Sequence, residues 1–471
     1  MLKQIKKTTL TLLALALGLA ILFTSVLVLS FAVLPDEKIN KNAQLSIDSI
    51  LEDNQQQYGV KDSFLEKIRN VYVTRVSNPG GINFRSFSLA DLLMLSFSKG
   101  DSLFQYTIDD PAFYDWLIEQ NYVDFGEGKD VTNVTKAMTP SYARYWNGYM
   151  VILRPLLLLG DIATIRYING VLLMLCFAVI CALLAKRFGT GFAALFAVCL
   201  AVVQGFMIPY CMEYTVMFLL SGVISIVLLL AYPKLEQKQW GIYFFFIAGA
   251  LTAYFDLLST PLLSLLLPLT FYILMRLKEP KTTWRSNVLL MLSSVFGWGL
   301  GYTGLWAAKW AIGSQILQEN IFANALISIK MRSGVFSSRL TGIGLNMMYF
   351  GKGTSSLVFL GIAIVLVAAL IIWVLHKQKK TKTEVLTALP LLAIVAAPFI
   401  FFFFGAEFSS VHHFMTHRLF FAGLFAYGCF FIFLLSKNFA KTEEPPAPDK
   451  VAAGNPYKTS RKKNARKRGI L

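Results

Sequence analysis

Long charge-free segments constrain the fold of this chain more than any other feature. The first, residues 8–34, contains apolar side chains and a few threonine and serine hydroxyls. A transmembrane helix needs about 20 mostly apolar residues and a signal-peptide core is shorter, so we expect this segment to remain as a first membrane-spanning helix. Similar segments recur along the sequence, which is 56% hydrophobic and 15% charged. These features predict an all-α, polytopic membrane protein.

Apolar segments of sufficient length predict about ten transmembrane helices. They are residues 8–34, 165–185, 190–209, 212–232, 240–257, 259–276, 286–310, 354–375, 385–404 and 415–436. A further apolar segment, residues 149–159, is too short to span a bilayer and is interrupted by Arg154 and Pro155. We expect it to lie at the membrane interface or to re-enter the membrane.

The basic residues predict the orientation of these helices. If the amino terminus is cytoplasmic, every short cytoplasmic loop is basic, as the positive-inside rule requires. The basic residues of these loops are Lys186, Arg187, Lys234, Lys238, Arg276, Lys278, Lys281, Arg285, Lys377, Lys379, Lys380 and Lys382. The formal net charge of +17 follows from this asymmetry, so no nucleic-acid partner is expected. We expect a multi-pass cell-membrane protein with both termini in the cytoplasm.

The chain divides into a predicted membrane domain, residues 1–436, and a tail. The basic residues 437–471 are predicted to form a disordered cytoplasmic arm that contacts anionic lipid headgroups. Two long loops face outward in this topology: residues 35–164, which contain stretches with amphipathic helical spacing, and residues 311–353, which are rich in basic side chains. Together these loops are expected to cover a cavity at the outer ends of the helices.

Acidic side chains at the predicted outer ends are costly unless they face a cavity or a pathway. Asp36 and Glu37 follow the first helix directly and are candidate general bases; the alternative is that they are ordinary loop acids. Asp91 is another acid of the first loop, although its position three residues after Ser88 also fits a helix start. Asp256 lies between two apolar spans and needs a partner or water, so it is a candidate substrate-binding residue.

Residues 407–418 contain three of the four histidines. His413 and His417 are four residues apart and share one face of a helix, a spacing that can chelate a metal if Glu407 folds back. The alternatives are phosphate binding or proton transfer together with Arg418, and a plain interfacial helix cap. The sequence leaves the cofactor unknown, with a divalent metal as one alternative.

Arginines and aromatic residues of the outer loops complete the candidate substrate-binding set. The arginines are Arg144, Arg154, Arg332 and Arg339. A guanidinium suits phosphate because it is planar and presents several donors; the competing ligand is an anionic lipid headgroup. Tyr145 and Trp146 belong to an aromatic string that either anchors the protein at the membrane interface or stacks on sugar rings.

The whole arrangement resembles the GT-C superfamily of integral membrane glycosyltransferases. The features that carry the resemblance are the long first outer loop, the acids directly after the first helix, the roughly ten spans and the cationic outer cavity. More narrowly, "SYARYWNGYMVILRPLL", "YFDLLSTPL" and "HHFMTHR" are similar to segments of an uncharacterised group of bacterial membrane proteins of GT-C type.

The resemblance implies a GT-C-like fold and sugar transfer from a polyprenyl-phosphate-linked donor to a glycan, lipid or protein acceptor on the extracytoplasmic face. It places the catalytic acid at Asp36 or Glu37, with Asp91 as another first-loop candidate. A lipid-linked glycan polymerase or ligase, a transporter or flippase, and an assembly protein are the alternatives. A transporter is expected to place polar groups near the membrane midplane, whereas here they crowd at one edge.

Overall fold

The computed structural model describes residues 2–58, 142–334, 336–350 and 381–436, together with Asp91, Met94, Leu95, Leu103, Thr107 and Trp373. This part of the chain contains helices and no strand, which confirms the prediction of an all-α protein. Most of the predicted first outer loop, the span at 354–375 and the tail at 437–471 lie outside the described residues, and the predictions for them stay predictions.

The described helices are named here in chain order. They are α1 (Leu2–Val33), α2 (Asp36–Tyr58), α3 (Met150–Leu157), α4 (Ile162–Phe188), α5 (Thr190–Val202), α6 (Met212–Lys238), α7 (Gly241–Phe255), α8 (Leu263–Leu277), α9 (Trp284–Leu317), α10 (Ile321–Ser333), α11 (Phe336–Met347), α12 (Lys382–Ala388), α13 (Pro390–Phe404), α14 (Ala406–Val411), α15 (His413–Thr416) and α16 (Phe420–Leu435). Short 3-10 turns at Tyr142–Arg144, Gly205–Tyr210 and His417–Leu419 connect some of them.

Six helical segments of the described chain are long and apolar enough to cross a membrane. They are Lys6–Val33, Ile162–Phe188, Met212–Lys238, Trp284–Leu317, Lys382–Phe404 and His413–Leu435. Each coincides with a predicted span, so the chain is a multi-pass membrane protein. Three other predicted spans form the shorter helices α5, α7 and α8. The count of ten therefore stays a prediction.

The predicted outer loops contain more helix than the sequence indicated. Helix α2 begins at Asp36, directly after Pro35, so the two acids that follow α1 occupy the first turn of a second helix. Negative side chains are favourable there because the peptide dipoles leave a partial positive charge at a helix start. The predicted half-span at residues 149–159 forms the short helix α3, whose eight residues cannot cross a bilayer.

Local side-chain caps explain where several helices begin. The Asp161 carboxylate accepts a hydrogen bond from the Thr164 N–H at the start of α4, at 3.1 Å. The Thr283 hydroxyl accepts one from the Ser286 N–H at the start of α9, at 3.2 Å. Each cap satisfies one of the first N–H groups of a helix, which have no partner within the helix itself.

Helices α7 and α9 pack closely because glycines lie between them. A Cβ atom added to Gly301 would lie 2.0 Å from the carbonyl oxygen of Phe246, and one added to Gly249 would lie 2.0 Å from that of Trp298. Gly297 and Gly301 are four residues apart, the spacing at which small residues let membrane helices approach backbone to backbone. The contact fixes the position of α7 along α9.

The hairpin formed by α7 and α8 is too short to span the membrane. Each helix has 15 residues, a length of about 22 Å at 1.5 Å per residue, whereas the hydrocarbon layer is about 30 Å thick. The Tyr254 hydroxyl, at the end of α7, donates to the Phe23 carbonyl well inside α1, at 3.2 Å. The turn at residues 256–262 therefore lies closer to the middle of the membrane than the nearby end of α1. At that depth its polar groups must form hydrogen bonds with protein or water.

One end of the bundle, here called the basic end, joins residues from the predicted cytoplasmic segments. The Lys278 ammonium donates to the Arg187 carbonyl at 2.7 Å, and Arg276 forms an ion pair with Glu236 at 2.6 Å. The Asn287 amide, itself bonded to Arg276, donates to a carbonyl of α12 at 2.9 Å. These contacts agree with the prediction that the segments share one side; which side is cytoplasmic stays a prediction.

Candidate functional site

The opposite end, here called the polar end, holds buried polar side chains in two groups. The carboxylate subsite consists of Tyr145, Asp256, Tyr302, Trp306 and Arg332. The histidine subsite consists of Tyr349, His413, His417 and Arg418. The sequence singled out six of these nine residues one by one, and the structure brings them into the two groups described below.

Asp256 is the first residue of the turn that joins α7 to α8, and it is only 4% exposed. Its Oδ1 atom accepts from the Ser259 N–H at 2.9 Å and from the Ser259 hydroxyl at 2.7 Å. Its Oδ2 atom is buried and has no hydrogen-bond partner among the residues that the structure describes. A buried carboxylate oxygen without a partner is costly, so it marks a place where a ligand or water can donate.

The backbone around Asp256 is held in an uncommon conformation. Leu258 has φ of 70°, in the left-handed region that branched and bulky side chains rarely adopt. Asn147 also has a positive φ, of 56°, and the next N–H, that of Gly148, donates to the Tyr254 carbonyl at 2.9 Å. The segment before α3 is thereby fastened to the end of α7. Residues in such conformations concentrate at ligand sites and tight turns.

Tyr302 and Arg332 connect the Asp256 carboxylate to helix α10. The Tyr302 hydroxyl interacts electrostatically with Asp256, Tyr145 and Arg332, and no described residue forms a hydrogen bond with it. Arg332, on α10, donates to the Tyr145 hydroxyl and lies over the Tyr145 ring at 5.8 Å. Asp256, Tyr145 and Arg332, which the sequence named separately as candidate substrate-binding residues, thus all act electrostatically on Tyr302.

A row of aromatic rings runs along α9 past this carboxylate. Trp298 stacks on Tyr302 at 4.8 Å, Tyr302 lies 5.6 Å from Trp306, and Trp306 lies 5.6 Å from Trp310. Trp306 also contacts the Tyr145 ring edge to face at 5.5 Å. Its indole N–H is buried without a partner in the described chain. The row thus offers ring faces together with a free hydroxyl and a free N–H donor.

Trp146 and Arg144 pack against the residues of this subsite and help to hold them in place. The Trp146 indole donates to the Leu305 carbonyl at 2.8 Å, and its fully buried ring packs in the core beside Tyr254. The sequence left two alternatives for Trp146, an anchor at the membrane interface or a ring that stacks on a sugar; the contacts use its N–H group and cover its ring. Arg144 donates to the Asn324 side chain at 3.4 Å and lies over the Tyr145 ring, so it helps to position α10.

The histidine subsite lies at the start of the last membrane-spanning segment. His413 and His417 are both buried, at 0% and 1% exposure. The His417 ring stacks on the Tyr349 ring at 3.7 Å and 4°, and its Nδ1 lies 2.9 Å from the His413 carbonyl oxygen. The His413 Nδ1 lies 3.3 Å from the Tyr349 hydroxyl. The Nε2 atoms of both histidines are buried without a partner among the described residues.

Arg418 and His412 border this subsite. Arg418 donates through Nη1 to the Phe414 carbonyl at 2.7 Å and lies over the Tyr214 ring at 4.5 Å. Burial lowers the pKa of His412 to about 4, with smaller contributions from Arg332 and His413, so its ring is neutral at pH 7. Arg332 therefore acts electrostatically on the carboxylate subsite and on His412, at the border of the histidine subsite.

Asp36, predicted as a catalytic acid, is paired with Arg154, predicted as a substrate-binding residue. The Arg154 Nη2 atom lies 2.6 Å from the Asp36 carboxylate, and the Arg154 Nε donates to the Ser30 carbonyl at 3.1 Å. The Arg154 guanidinium also lies 4.1 Å from the Phe31 ring centroid. Its side chain is 0% exposed and that of Asp36 is 44% exposed. Arg154 thus fastens α3 to α1 and orients the Asp36 carboxylate.

Asp91 serves as a cap for a different helix from the one that the sequence indicated. Its Oδ1 accepts from the Met212 N–H at the start of α6, at 2.9 Å, and its Oδ2 lies 3.8 Å from Arg166. The residue is 0% exposed. A buried carboxylate at a helix start is stabilised by the N–H groups and the helix dipole. These contacts hold Asp91 against the start of α6.

Three other predicted site residues occupy more exposed positions. Glu37 and Glu407 are exposed, and the Arg339 guanidinium lies 5.1 Å from the Phe403 ring centroid. Within the described chain no group of three or more His, Cys, Asp or Glu side chains can hold a metal. The structure therefore does not assemble Glu407, His413 and His417 into a metal centre.

The sequence interpretation did not single out Tyr302, Trp306 or Tyr349. Tyr302 and Trp306 lie in an apolar run, where aromatic residues are read as core or lipid-facing. One signal was available for two of them: Trp298, Tyr302, Trp306 and Trp310 are spaced every four residues, which places them on one face of a helix. Nothing in the sequence connects Tyr349 with His417.

No protein-family model, no curated protein and no solved structure matches the chain. The resemblance to membrane glycosyltransferases accordingly stays a prediction, and the arguments for function depend on the polar end itself.

Proposed function

We propose that the protein is a membrane-embedded glycosyltransferase that transfers a sugar from a polyprenyl-phosphate-linked donor to a hydroxyl group of a cell-envelope acceptor. The observation that carries the proposal is the Asp256 carboxylate. One of its oxygens is held by Ser259, and the other is buried and unpartnered among the described residues. The carboxylate interacts electrostatically with Tyr302, which Arg332 also influences.

In the proposed reaction Asp256 is the general base. Its Oδ2 atom takes the proton of the acceptor hydroxyl, and the acceptor oxygen forms a bond to the anomeric carbon of the sugar. The bond between that carbon and the donor phosphate breaks, and the lipid phosphate leaves with the electron pair. Arg332 stabilises the departing phosphate as its negative charge develops, which a guanidinium does well because it donates through several N–H groups.

The surroundings of Asp256 suit a sugar. Pockets for small polar ligands combine apolar or aromatic walls with a few placed donors and acceptors. Here the walls are the rings of Tyr145, Tyr302 and Trp306, and the free polar atoms are the Tyr302 hydroxyl, the Trp306 N–H and Asp256 Oδ2. Aromatic faces and mixed donors and acceptors match the two faces and the hydroxyls of a pyranose ring.

The resemblance to GT-C glycosyltransferases favours Asp36 or Glu37 as the general base instead of Asp256. The contacts of Asp36 show how its carboxylate is held. Asp36 is half exposed and oriented by Arg154, so its carboxylate is held at the surface near α3. Asp91 is occupied by the N–H of Met212 at the start of α6, which supports a positioning role. We therefore assign the proton transfer to Asp256 and treat Asp36, Glu37 and Asp91 as comparison positions.

One observation favours a second candidate, a transporter or flippase of a lipid-linked intermediate. The hairpin of α7 and α8 is too short to cross the membrane and places a polar turn inside the protein, as the interrupted helices of transporters do. A polymerase or ligase would use the same carboxylate chemistry on a longer acceptor. Product analysis separates these candidates, because only a transferase forms a new glycosidic bond.

The decisive experiment measures product in two settings. Surface glycans of a deletion strain are compared by mass spectrometry after complementation with wild type, Asp256→Asn, Asp36→Asn, Glu37→Gln or Asp91→Asn. The purified full-length variants are also incubated in nanodiscs with a polyprenyl-phosphate hexose, and release of polyprenyl phosphate is followed. Removing a general base lowers rates about 100- to 10,000-fold, so we expect Asp256→Asn to lose that much activity while it still folds.

The matched control is Glu319→Gln, which removes an exposed carboxylate between α9 and α10 and is expected to leave activity unchanged. Full rescue by Asp256→Asn would overturn the assignment of the base. An unchanged glycan profile in the deletion strain, together with no release of polyprenyl phosphate by the wild type, would overturn the transferase itself. Accumulation of unflipped lipid-linked sugar in that strain would favour the transporter.

A further inference from the structure

The histidine subsite contains polar atoms that the proposed proton transfer does not use. His413, His417 and Arg418 are each at most 4% exposed. His413 Nε2, His417 Nε2 and Arg418 Nε are buried and form no hydrogen bond with any residue that the structure describes. Buried polar groups are almost always paired, so three such atoms on neighbouring residues point to a ligand.

The hydrogen-bond role of His417 is fixed by its surroundings. Its Nδ1 lies 2.9 Å from the His413 carbonyl oxygen, and because a carbonyl can only accept, Nδ1 must carry the proton. In the neutral ring the other nitrogen, Nε2, then has a lone pair and accepts. The parallel Tyr349 ring at 3.7 Å holds the plane of the imidazole. His417 therefore presents an oriented acceptor.

Arg418 supplies the complementary donor. Its guanidinium is anchored by the bond from Nη1 to the Phe414 carbonyl and by the Tyr214 ring, and its Nε–H can only donate. The third group, His413, is adjustable. Its Nδ1 meets the Tyr349 hydroxyl at 3.3 Å, and since that hydroxyl can donate or accept, Nε2 of His413 can take either role.

A fixed acceptor, a fixed donor and an adjustable group match the hydroxyl groups of a neutral ligand. A hydroxyl donates one hydrogen bond and accepts others, so it can satisfy His417 and Arg418 together. A phosphate oxygen would face the lone pair of His417. An ammonium group would be repelled by Arg418, and a metal ion would meet the same positive charge with too few ligands in the described chain.

We infer that the histidine subsite binds a neutral, hydroxyl-rich group such as a sugar ring or another polyol, with His417 Nε2 accepting from one of its hydroxyls. The inference deepens the proposed function and rests on it for one point only, that the polyol belongs to the glycan acceptor. The choice of a hydroxyl over phosphate or metal depends only on the hydrogen-bond roles of His417, Arg418 and His413.

Two substitutions of His417 separate the functions of its two nitrogens. In His417→Asn the shorter amide can still donate to the His413 carbonyl as Nδ1 does, but nothing reaches the position of Nε2. In His417→Gln the longer side chain brings an amide oxygen, an acceptor, to the position of Nε2. The inference predicts that Asn weakens polyol binding and that Gln restores most of it.

Binding is measured with methyl α-D-hexopyranosides and the full-length protein in nanodiscs, followed by saturation-transfer-difference NMR. All titrations are made in an Asp256→Asn background, so that no turnover occurs and every protein compared has the same carboxylate subsite. We expect His417→Asn to weaken binding about tenfold, the effect of losing one buried hydrogen bond of about 1.4 kcal/mol. The control substitution Glu319→Gln is expected to leave binding unchanged.

Several outcomes would overturn the inference. Equal hexoside binding by Asp256→Asn alone and by Asp256→Asn with His417→Asn would exclude a hydroxyl at Nε2. Tighter binding of inorganic phosphate, or of Zn²⁺ measured by calorimetry, that His417→Asn abolishes would replace it with an anion or metal site. These results are separate from the transferase test: a protein that binds hexosides through His417 but forms no product refutes the proposed function and leaves this inference standing.

Discussion

The two ends of the helix bundle treat their polar side chains differently. At the basic end Glu236 accepts from Arg276 at 2.6 Å and from Tyr272 at 2.9 Å, and Asn287 bonds both to Arg276 and to α12. At the polar end Asp256 Oδ2 and the Tyr302 hydroxyl are buried and have no partner in the described chain. Asp256 is 4% exposed, whereas the Glu236 side chain is 36% exposed.

The difference separates polar groups that hold the fold together from polar groups that are available to a ligand. A satisfied buried network stabilises one arrangement of helices, whereas an unsatisfied one lowers stability and persists only where it has another use. The contrast has one exception among the described residues of the basic end. The buried Tyr232 hydroxyl has no partner there, and it borders a cavity of about 520 Å³ beside Glu236 and Arg276.

The largest expected effect tests the scaffold that positions Asp256. Gly301→Ala places a Cβ atom 2.0 Å from the Phe246 carbonyl oxygen, and because that neighbour is backbone, α7 and α9 must move apart. We expect the free energy of unfolding in mixed micelles to fall by about 3 kcal/mol, at the upper end for overpacked positions. Activity at the displaced Asp256 should fall as well.

Gly304, on the same helix, provides the matched control for that substitution. A Cβ added there meets no atom within 4 Å, so Gly304→Ala should raise stability by up to about 1 kcal/mol through helix propensity alone. Equal stability of the Gly301→Ala and Gly304→Ala variants would show that close packing of α7 on α9 does not set the depth of the hairpin.

The next effect is a dependence of stability on pH that should originate at the polar end. The pKa of His412 is about 4 in the folded protein and about 6.5 when the ring is solvated, so the unfolded chain binds more protons between these values. The contribution of His412 is therefore complete above pH 6.5 and is lost as the pH falls towards 4. Because the His412 side chain is partly exposed, we expect the free energy of unfolding to fall by only roughly 1–2 kcal/mol between pH 6.5 and 4.

His412→Gln isolates this contribution, because His413 and His417 titrate in both proteins and cancel in the difference. Chemical unfolding of wild type and variant is compared at several pH values, and the wild type should lose more stability on acidification. Parallel curves would mean that the His412 ring is not held in the neutral form by burial and by Arg332.

The smallest expected effects come from removing one tyrosine hydroxyl at each end of the bundle and comparing stability and activity. Tyr272→Phe removes a hydroxyl that donates to Glu236 at 2.9 Å and should lower stability by about 1–2 kcal/mol without affecting activity. Tyr302→Phe removes a hydroxyl with no partner in the described chain, so stability should change by less than about 0.5 kcal/mol while product formation falls. Thermal unfolding and donor turnover are measured for both variants; the reverse pattern would break the comparison.

Much of the membrane architecture could be predicted from the sequence. Apolar runs located the six helices that are long enough to span, because helix length and hydrophobicity are local properties. The basic loops predicted which segments share an end, and the contacts of Lys278 with Arg187 and of Arg276 with Glu236 agree with that prediction. The shortness of α7 and α8 was not predicted, because apolar residues continue beyond the turn at Asp256.

The candidate site was predicted only in part. Asp256, Arg332, His413, His417 and Arg418 were found because charged or titratable side chains are conspicuous among apolar ones. Tyr302, Trp306 and Tyr349 could not be found in the same way, since a tyrosine or tryptophan near or within an apolar run looks like any other core residue.

The sequence by itself determined that this chain is helical, lies in a membrane and carries its unusual charges towards one end, since these properties depend on composition and spacing along the chain. Only the tertiary structure decided how those charges are used. It paired Asp36 with Arg154, bound Asp91 to the start of α6, and left one oxygen of Asp256 and one nitrogen of His417 without a described partner. The physical reason is that hydrogen-bond partners lie on distant segments, and the packing of helices alone brings them within 3 Å or keeps them apart.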